Sequence, residues 1–496
     1  MLAGLPQIEF LWTDALVWLL VVVIAVFAWY VSRQPHLRAP WRRVARSASG
    51  MAAFAVLFVF IVVGLLDSIH YRPVVTDAQG NRTHATEVRS VFDSVAAPLK
   101  ARTEKTYSAP LATHLFAKET ITDANGREVR DYPRLRYGGA HLKNPDNDWS
   151  ADVARRAAAG LAVAVAVWLA IAGLVSVLQA RRRDTFFHGW RAVWAGETEL
   201  PWRAVLVTML VMLVAAGPLT ALALDYHVLG TDKVGQDVLY QALKSIRTAL
   251  IIGTLTTLVM LPFALLFGIM AGYMRGWVDD LVQYFYTTLS SIPGVLLIAG
   301  AVLTMQVWIE THPELFATTE KRADVRLLAL CVILGITSWT GLCRLLRGET
   351  LKLREMDYIQ AAQAFGVSKW RIMSRHLLPN VMHIVLISVV MDFSGLVLAE
   401  AVLSYVGVGV DPSMISFGTM INNARLEMAR EPMVWWSLAA AFSFMLVLVL
   451  SANLFADAVR DAFDPRLKSR TMDPRRLAQR LGAVAATGPA VRPKEA

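Results

Sequence analysis

The chain has 496 residues, 55% of them hydrophobic and 18% charged, with a formal net charge of +10. Its apolar residues come in blocks of about 20, the length a helix needs to cross the hydrocarbon core, which excludes an ordinary soluble domain. The basic residues flank those blocks, as at Arg33, Arg38, Arg42, Arg43 and Arg46, without a groove-reading or aromatic-basic module, so no nucleic acid is expected as a partner.

Nine spanning segments are predicted, near 13–31, 51–68, 157–178, 204–224, 247–272, 284–306, 326–346, 381–404 and 434–456. The first has no Lys or Arg ahead of it, unlike a cleaved leader. The flanks at 32–50 and 179–203, the latter with Arg181, Arg182 and Arg183, are basic and therefore cytoplasmic. Alternation puts the N-terminus outside and the C-terminus, with Arg460, Arg466, Lys468 and Arg470, inside.

Between the second and third spans, residues 69–155 are polar and carry two hairpin signals. One turn is Gln79-Gly80-Asn81; the other, Ala124-Asn125-Gly126, lies between Glu119–Thr122 and Arg127–Val129. This is expected to be a small external α+β insertion. Residues 1–68 are then N-terminal transmembrane helices, 156–203 a helix and cytoplasmic loop, 204–468 the main bundle and 469–496 a disordered tail. Trp41-Arg42-Arg43 and Pro201-Trp202-Arg203 each precede an apolar helix, and either is a candidate start for the functional core.

Cys331 and Cys343 sit twelve residues apart on one apolar block, too far to bridge, and are expected to be small buried hydrophobes. A polar segment from Arg344 to Arg375 parts the seventh and eighth spans on the cytoplasmic side. There Met356, Ile359, Ala362 and Phe365 recur at helical spacing and Gly366 ends that helix. Ser368 is placed to cap a second helix bearing Trp370, Ile372 and Met373, which Leu377-Leu378-Pro379 is expected to stop. Two short amphipathic helices at a fixed angle form a knob suited to a groove on another protein. His376 and His383 have no metal-ligand company and are expected to be interfacial. Asp392 and Glu400 fall inside the eighth span, eight residues apart and nearly on one face. Ionisable groups are costly there, so they are candidates for lining a path or meeting a partner helix.

The pattern Gln360-Ala361-Ala362, then Gly366, then Leu377-Leu378-Pro379 resembles the coupling-loop motif of bacterial ABC importer permeases, in the dipeptide and oligopeptide branch. That motif ordinarily has Glu at the place of Gln360 and an aliphatic residue at His376. Leu229-Gly230-Thr231-Asp232 with Gly235-Gln236-Asp237 resembles the family segment before a core helix, where Arg is commoner than Gln236. Leu403–Val410, containing Gly407 and Gly409, with Phe417-Gly418-Thr419-Met420, resembles the external re-entrant region before the last helix. Asp457–Arg466 resembles the C-terminal signature.

The resemblance covers about 225–468 and implies an all-α polytopic membrane protein with a type I ABC importer permease core, extended by extra N-terminal helices and the external insertion. It implies a C-type subunit paired with a second homologous permease, two ABC ATPase subunits docked on the loop 348–378, and a periplasmic binding protein delivering peptide to external loops. No Gly-x-x-x-x-Gly-Lys-[Ser/Thr] loop occurs, so no cofactor is expected on this chain and ATP-Mg belongs to the partners. Membrane lipid is its solvent, and no covalent chemistry is assigned to it. The alternatives are an ion-coupled secondary transporter using Asp392 and Glu400, or a membrane enzyme or sensor working through 69–155, where no catalytic cluster is visible.

Overall fold

The computed structural model describes residues 7–76, 82–85, 87–122, 128–180, 186–316 and 318–463. The turns expected at 79–81 and 124–126, the arginines 181–183, the end of the C-terminal signature and the tail from 469 lie outside those residues. Nine helices among the described residues are long and apolar enough to cross a membrane, the number the sequence predicts.

The chain opens with β1 (Gln7–Ile8) and α1 (Trp12–Arg33), whose apolar length is largely exposed apart from Thr13, Asp14 and Val31. A one-residue break at Gln34 leads into α2 (Pro35–Arg46), and Ser47 caps α3 (Ala48–Asp67) by accepting from Gly50 N at 3.2 Å. Then comes the insertion: β2 (His70–Arg72), β3 (Val74–Thr76), β4 (Arg82–His84), β5 (Arg89–Ser90), α4 (Val91–Val95), α5 (Ala97–Ala101), β6 (Glu119–Thr122) and β7 (Glu128–Asp131). Both expected hairpins form, β3 with β4 and β6 with β7, the latter in the register Glu119 to Asp131 and Thr122 to Glu128. β1 pairs with β2 and β2 with β5, so the start of the chain lies on the same side as the insertion.

α6 (Pro145–Ala180) returns across, followed by α7 (Phe186–Ala195) and α8 (Trp202–Ala223). α6 and α8 approach at glycines; a Cβ on Gly160 would stand 2.4 Å from the Gly217 carbonyl oxygen. α9 (Val238–Met274) starts nine residues before its predicted span and is the central pole, buried along most of its length. Its N-terminal half joins α3, the insertion and the last helices in one apolar cluster; its C-terminal half anchors another around Met260, Ala264 and Tyr273.

Two expectations are corrected downstream. The span predicted at 284–306 is broken: α10 (Trp277–Ser291) and α11 (Gly294–Thr311) meet at Ile292-Pro293. Pro293 cannot donate to the preceding turn, and Ile292 before it is extended, with φ −88° and ψ 132°. After α12 (Thr319–Ser338), α13 (Thr340–Arg354) keeps the start of the polar segment helical. Past α14 (Asp357–Ala364) and α15 (Lys369–Ile372), the stop expected at Leu377–Pro379 does not occur. A π turn over Met373–Leu377 runs straight into α16 (Leu378–Tyr405). Pro379 is the second residue of that helix, and the wider turn accommodates its ring and its missing donor. α17 (Phe417–Glu427), opened by a capping box between Ser416 and Thr419, and α18 (Trp436–Phe463) complete the fold.

Candidate functional site

The knob is built from its buried side outward. Ile359 of α14, Ile372 of α15 and Leu377 of the π turn are fully buried against Leu342, Cys343 and Leu346 of α13 and Ala271 of α9. Polar clamps fix its base. Arg347 Nε and Nη2 donate to the two Asp279 oxygens at 2.5 and 2.7 Å, Arg354 Nη1 donates to Tyr273 O at 3.0 Å, and Arg275 pairs with Glu355 at 2.8 Å. Gln363 Nε2 donates to the Tyr273 hydroxyl at 3.3 Å.

Gly366 turns the chain between α14 and α15 with φ +73°, a conformation that a Cβ disfavours. Gly366 N and Val367 N donate back to Gln363 O and Ala362 O at 2.9 and 3.1 Å. The expected apolar face of α14 is corrected here. Ile359 is buried and Ala362 half-buried, but Met356 and Phe365 are exposed, because the helix ends at Ala364 and Phe365 already leaves helical geometry. Ser368 has the extended backbone of a cap but makes no side-chain capping bond. Phe365 and Trp370, 86% and 63% exposed, therefore stand at the tip. Gln360 and Ala361 are exposed beside them, Gln360 Nε2 donating to Glu355 O at 3.2 Å. Leu378 is half-buried and Pro379 exposed at the knob's exit.

The opposite end of α9 holds the second constellation. Asp237 caps it, Oδ1 accepting from Leu239 N and Tyr240 N at 2.8 and 3.2 Å. Asp232 Oδ1 accepts from Val234 N and Gln236 N at 2.9 and 2.8 Å, and its Oδ2 from Gln241 Nε2 at 2.6 Å. Gly230, with φ +72°, delivers Thr231 into full burial, where its hydroxyl donates to Thr106 O and accepts from Ser108 N, while its carbonyl accepts from Trp436 Nε1 at 2.9 Å.

Sequence reasoning missed what grips this segment. Glu104 accepts from the backbone of Arg136, Tyr137 and Gly138 at 2.9, 2.7 and 3.2 Å. Its Oε1 lies 3.4 Å from His227 Nε2, near enough for an ion pair though not aligned as a hydrogen bond. His227 Nδ1 meets Asp237 Oδ2 at 2.8 Å. Burial opposes charge on both groups, but the two carboxylates raise His227 to about 9, while His227 and the backbone donors hold Glu104 at about 2. Glu104 N also donates to Gly235 O at 2.9 Å. Glu104 is more than a hundred residues from His227 and Gly235, so no local signal announces the grip.

Asp93 of the insertion repeats the theme. Burial disfavours its charge, yet Lys244 at 2.5 Å, the Tyr240 hydroxyl at 2.8 Å and Lys100 at 3.1 Å keep its carboxyl well below the usual range. A cavity of about 350 Å³ opens here, among Asp93, Lys100, Lys244, Arg247 and the residues 413–415.

The two carboxylates of α16 are not brought together. Glu400 is enclosed, accepting from Ser404 Oγ at 2.7 Å and Ser416 Oγ at 2.9 Å. It thereby ties the start of α17 to the end of α16. Asp392 is half-buried without a hydrogen bond among the described residues. Gly409 and Gly418 pack on Ser404, where added Cβ atoms would stand 1.9 and 2.5 Å from its side chain, and Gly407 turns the loop with φ +86°. No cluster of three metal-ligating side chains occurs among the described residues.

Residues 264–469 match the family of binding-protein-dependent transport system inner membrane components. The glutathione transport system permease protein GsiD of Pectobacterium atrosepticum is 31% identical over 245 residues, 49% of this chain and 74% of that protein. The dipeptide transport system permease protein DppC of Lactococcus lactis is 37% identical over 99 residues, 20% of this chain and 28% of its own. The di/tripeptide permease DppC of Pseudomonas aeruginosa is 36% identical over 99 residues, 20% of this chain and 32% of its own. The chain thus spans about a third or less of the length of the two DppC permeases it matches. A solved inward-facing structure of the MetNI methionine ABC transporter aligns with 45% of this chain and 97% of that one, at 16% identity and a TM-score of 0.34.

Proposed function

Since the chain belongs to the binding-protein-dependent transport family of inner membrane components, we propose that it is the permease subunit of an ATP-driven importer of peptides. The observation that carries this reading is the knob. Its inner side is locked by Ile359, Ile372 and Leu377, and its outer side offers Phe365 and Trp370 to water at the turn made by Gly366. An exposed aromatic pair on a rigid base is what a groove on a motor protein needs to seize.

In this account two separate ATPase subunits bind ATP-Mg and close on each other. Their grooves carry the knobs of this chain and of a second permease. The push passes through α13 and the π turn into α9 and α16, and the pair rocks between inward-facing and outward-facing states. A binding protein delivers peptide at the opposite surface, near 226–245 and 405–433. The N-terminus and insertion lie outside, and the knob and C-terminus lie in the cytoplasm. The names of the relatives, dipeptide, di/tripeptide and glutathione permeases, favour small peptides as cargo.

Co-purification tests the reading. The full chain expressed with its neighbouring subunits should bring down an ATPase pair, and Gly366→Pro should lose it while the chain stays in the membrane. Retention of the ATPase by Gly366→Pro, with an unchanged rate of ATP-dependent uptake, would contradict the proposed contact.

A further inference from the structure

α2 is a basic helix at the level of the lipid headgroups. α1 before it has 22 residues and α3 after it has 20. At 1.5 Å per residue each consumes roughly the 30 Å of a hydrocarbon core, which leaves α2 at the bilayer surface. Its inner side is anchored: Val44 is buried with Val459 and Ala462 of α18, and Trp41 stands edge-on to Phe463 at 5.5 Å. Near the end of α1, Arg33 lies over the exposed Trp29 ring at 3.9 Å, an interfacial pairing that marks the same level.

The other side of α2 is cationic and unpartnered. Ser32 of α1 and Arg38, Arg42, Arg43 and Arg46 of α2 border a groove of about 400 Å³ whose lining holds no carboxylate. None of these four guanidinium groups makes an ion pair or hydrogen bond among the described residues. Buried or half-buried arginines elsewhere are paired, as Arg347 with Asp279 and Arg247 with Asp14. Arg38, Arg42 and Arg46 follow at intervals of four and so share one face of the helix.

We propose that this groove binds the phosphodiester headgroup of an anionic phospholipid, held by the α2 arginines, with its acyl chains against the exposed apolar flank of α1. Guanidinium forks match phosphate oxygens, and each basic residue at a membrane surface adds about fivefold in affinity for anionic lipid. The bound lipid fills the wedge between the outlying α1 and the bundle.

Native mass spectrometry of the detergent-purified full chain, with whatever subunits accompany it, reads this directly. On titration with phosphatidylglycerol or phosphatidylcholine of matched acyl chains, phosphatidylglycerol should bind more tightly. R38Q/R42Q/R46Q should weaken it at least about tenfold while leaving phosphatidylcholine unchanged. R38K/R42K/R46K should recover most of the loss, and R42Q alone should show a partial one if the triple variant does not fold. Equal affinity for the two lipids, or full phosphatidylglycerol affinity in both R42Q and the triple variant, would overturn the proposal. So would displacement of the lipid by millimolar inorganic phosphate, which would identify the groove as a site for the free anion.

Discussion

His227 carries a charge at neutral pH because Asp237 and Glu104 sit on either side of it in a buried pocket. Its pKa is about 9 here against 6.5 ordinarily. A raised value means the contribution to stability is complete below about pH 6.5, falls as pH rises and is gone above about 9, with a span of at most about 3 kcal/mol. Thermal unfolding followed from pH 6 to 10 should show that decline, and His227→Gln should flatten it. The same decline in the variant would place the titration elsewhere. Gly235 faces a different constraint: its φ is +75°, and a Cβ would stand 1.9 Å from the Glu104 carbonyl oxygen. Gly235→Ala should therefore destabilise the protein by more than about 1 kcal/mol and lower its Tm, since both backbone strain and a clash with main chain oppose it.

Among the elements, the knob has a buried inner side and an exposed tip, and the proposed docking role assigns folding to the first and contact to the second. Ile359→Ala opens a cavity in a packed cluster and should cost about 2–4 kcal/mol of stability. Phe365→Ala with Trp370→Ala removes only exposed surface, so Tm should hold while ATPase affinity falls about tenfold or more. A matched loss of Tm and affinity in both variants would deny the division. The helices themselves were legible where lipid dictates them: blocks of about twenty apolar residues and a motif ending at Gly366 need no tertiary knowledge. Pro293 was a readable break that the apolar run around it concealed. Pro379 misled in the opposite direction, because a π turn absorbs the proline that an α-helix would reject. Phe365 looked like core by spacing and proves exposed because its helix stops one residue early.

Across the whole molecule, the extra N-terminal part is bound to the bundle by buried charge. Arg247 of α9 pairs with Asp14 of α1 at 2.6 Å, Asp14 meets His70 of the insertion at 2.6 Å, and Thr13 N donates to Asp324 of α12 at 3.2 Å. Removing one member strands its partner in an apolar setting, so Arg247→Met should cost about 3–5 kcal/mol and D14N/R247M distinctly less. Equal costs for the two in a denaturation series would mean that the pair does not hold α1. None of these links was visible in the sequence, since each joins residues brought close only by the closed bundle. The insertion was legible as hairpins, but its grip on 225–237 through Glu104 and Ser108 was not.

The central claim is that motion enters this chain through the knob, and proximity to the motor tests it most directly. A cysteine in place of Phe365, in the full chain purified with its neighbouring subunits after Cys331 and Cys343 are replaced by Ala, can be paired with a short thiol-to-amine crosslinker. The account predicts an adduct with an ATPase subunit that is lost in the presence of Gly366→Pro. Absence of that adduct, with a cysteine at the exposed Val95 of the insertion crosslinking to the ATPase instead, would contradict it.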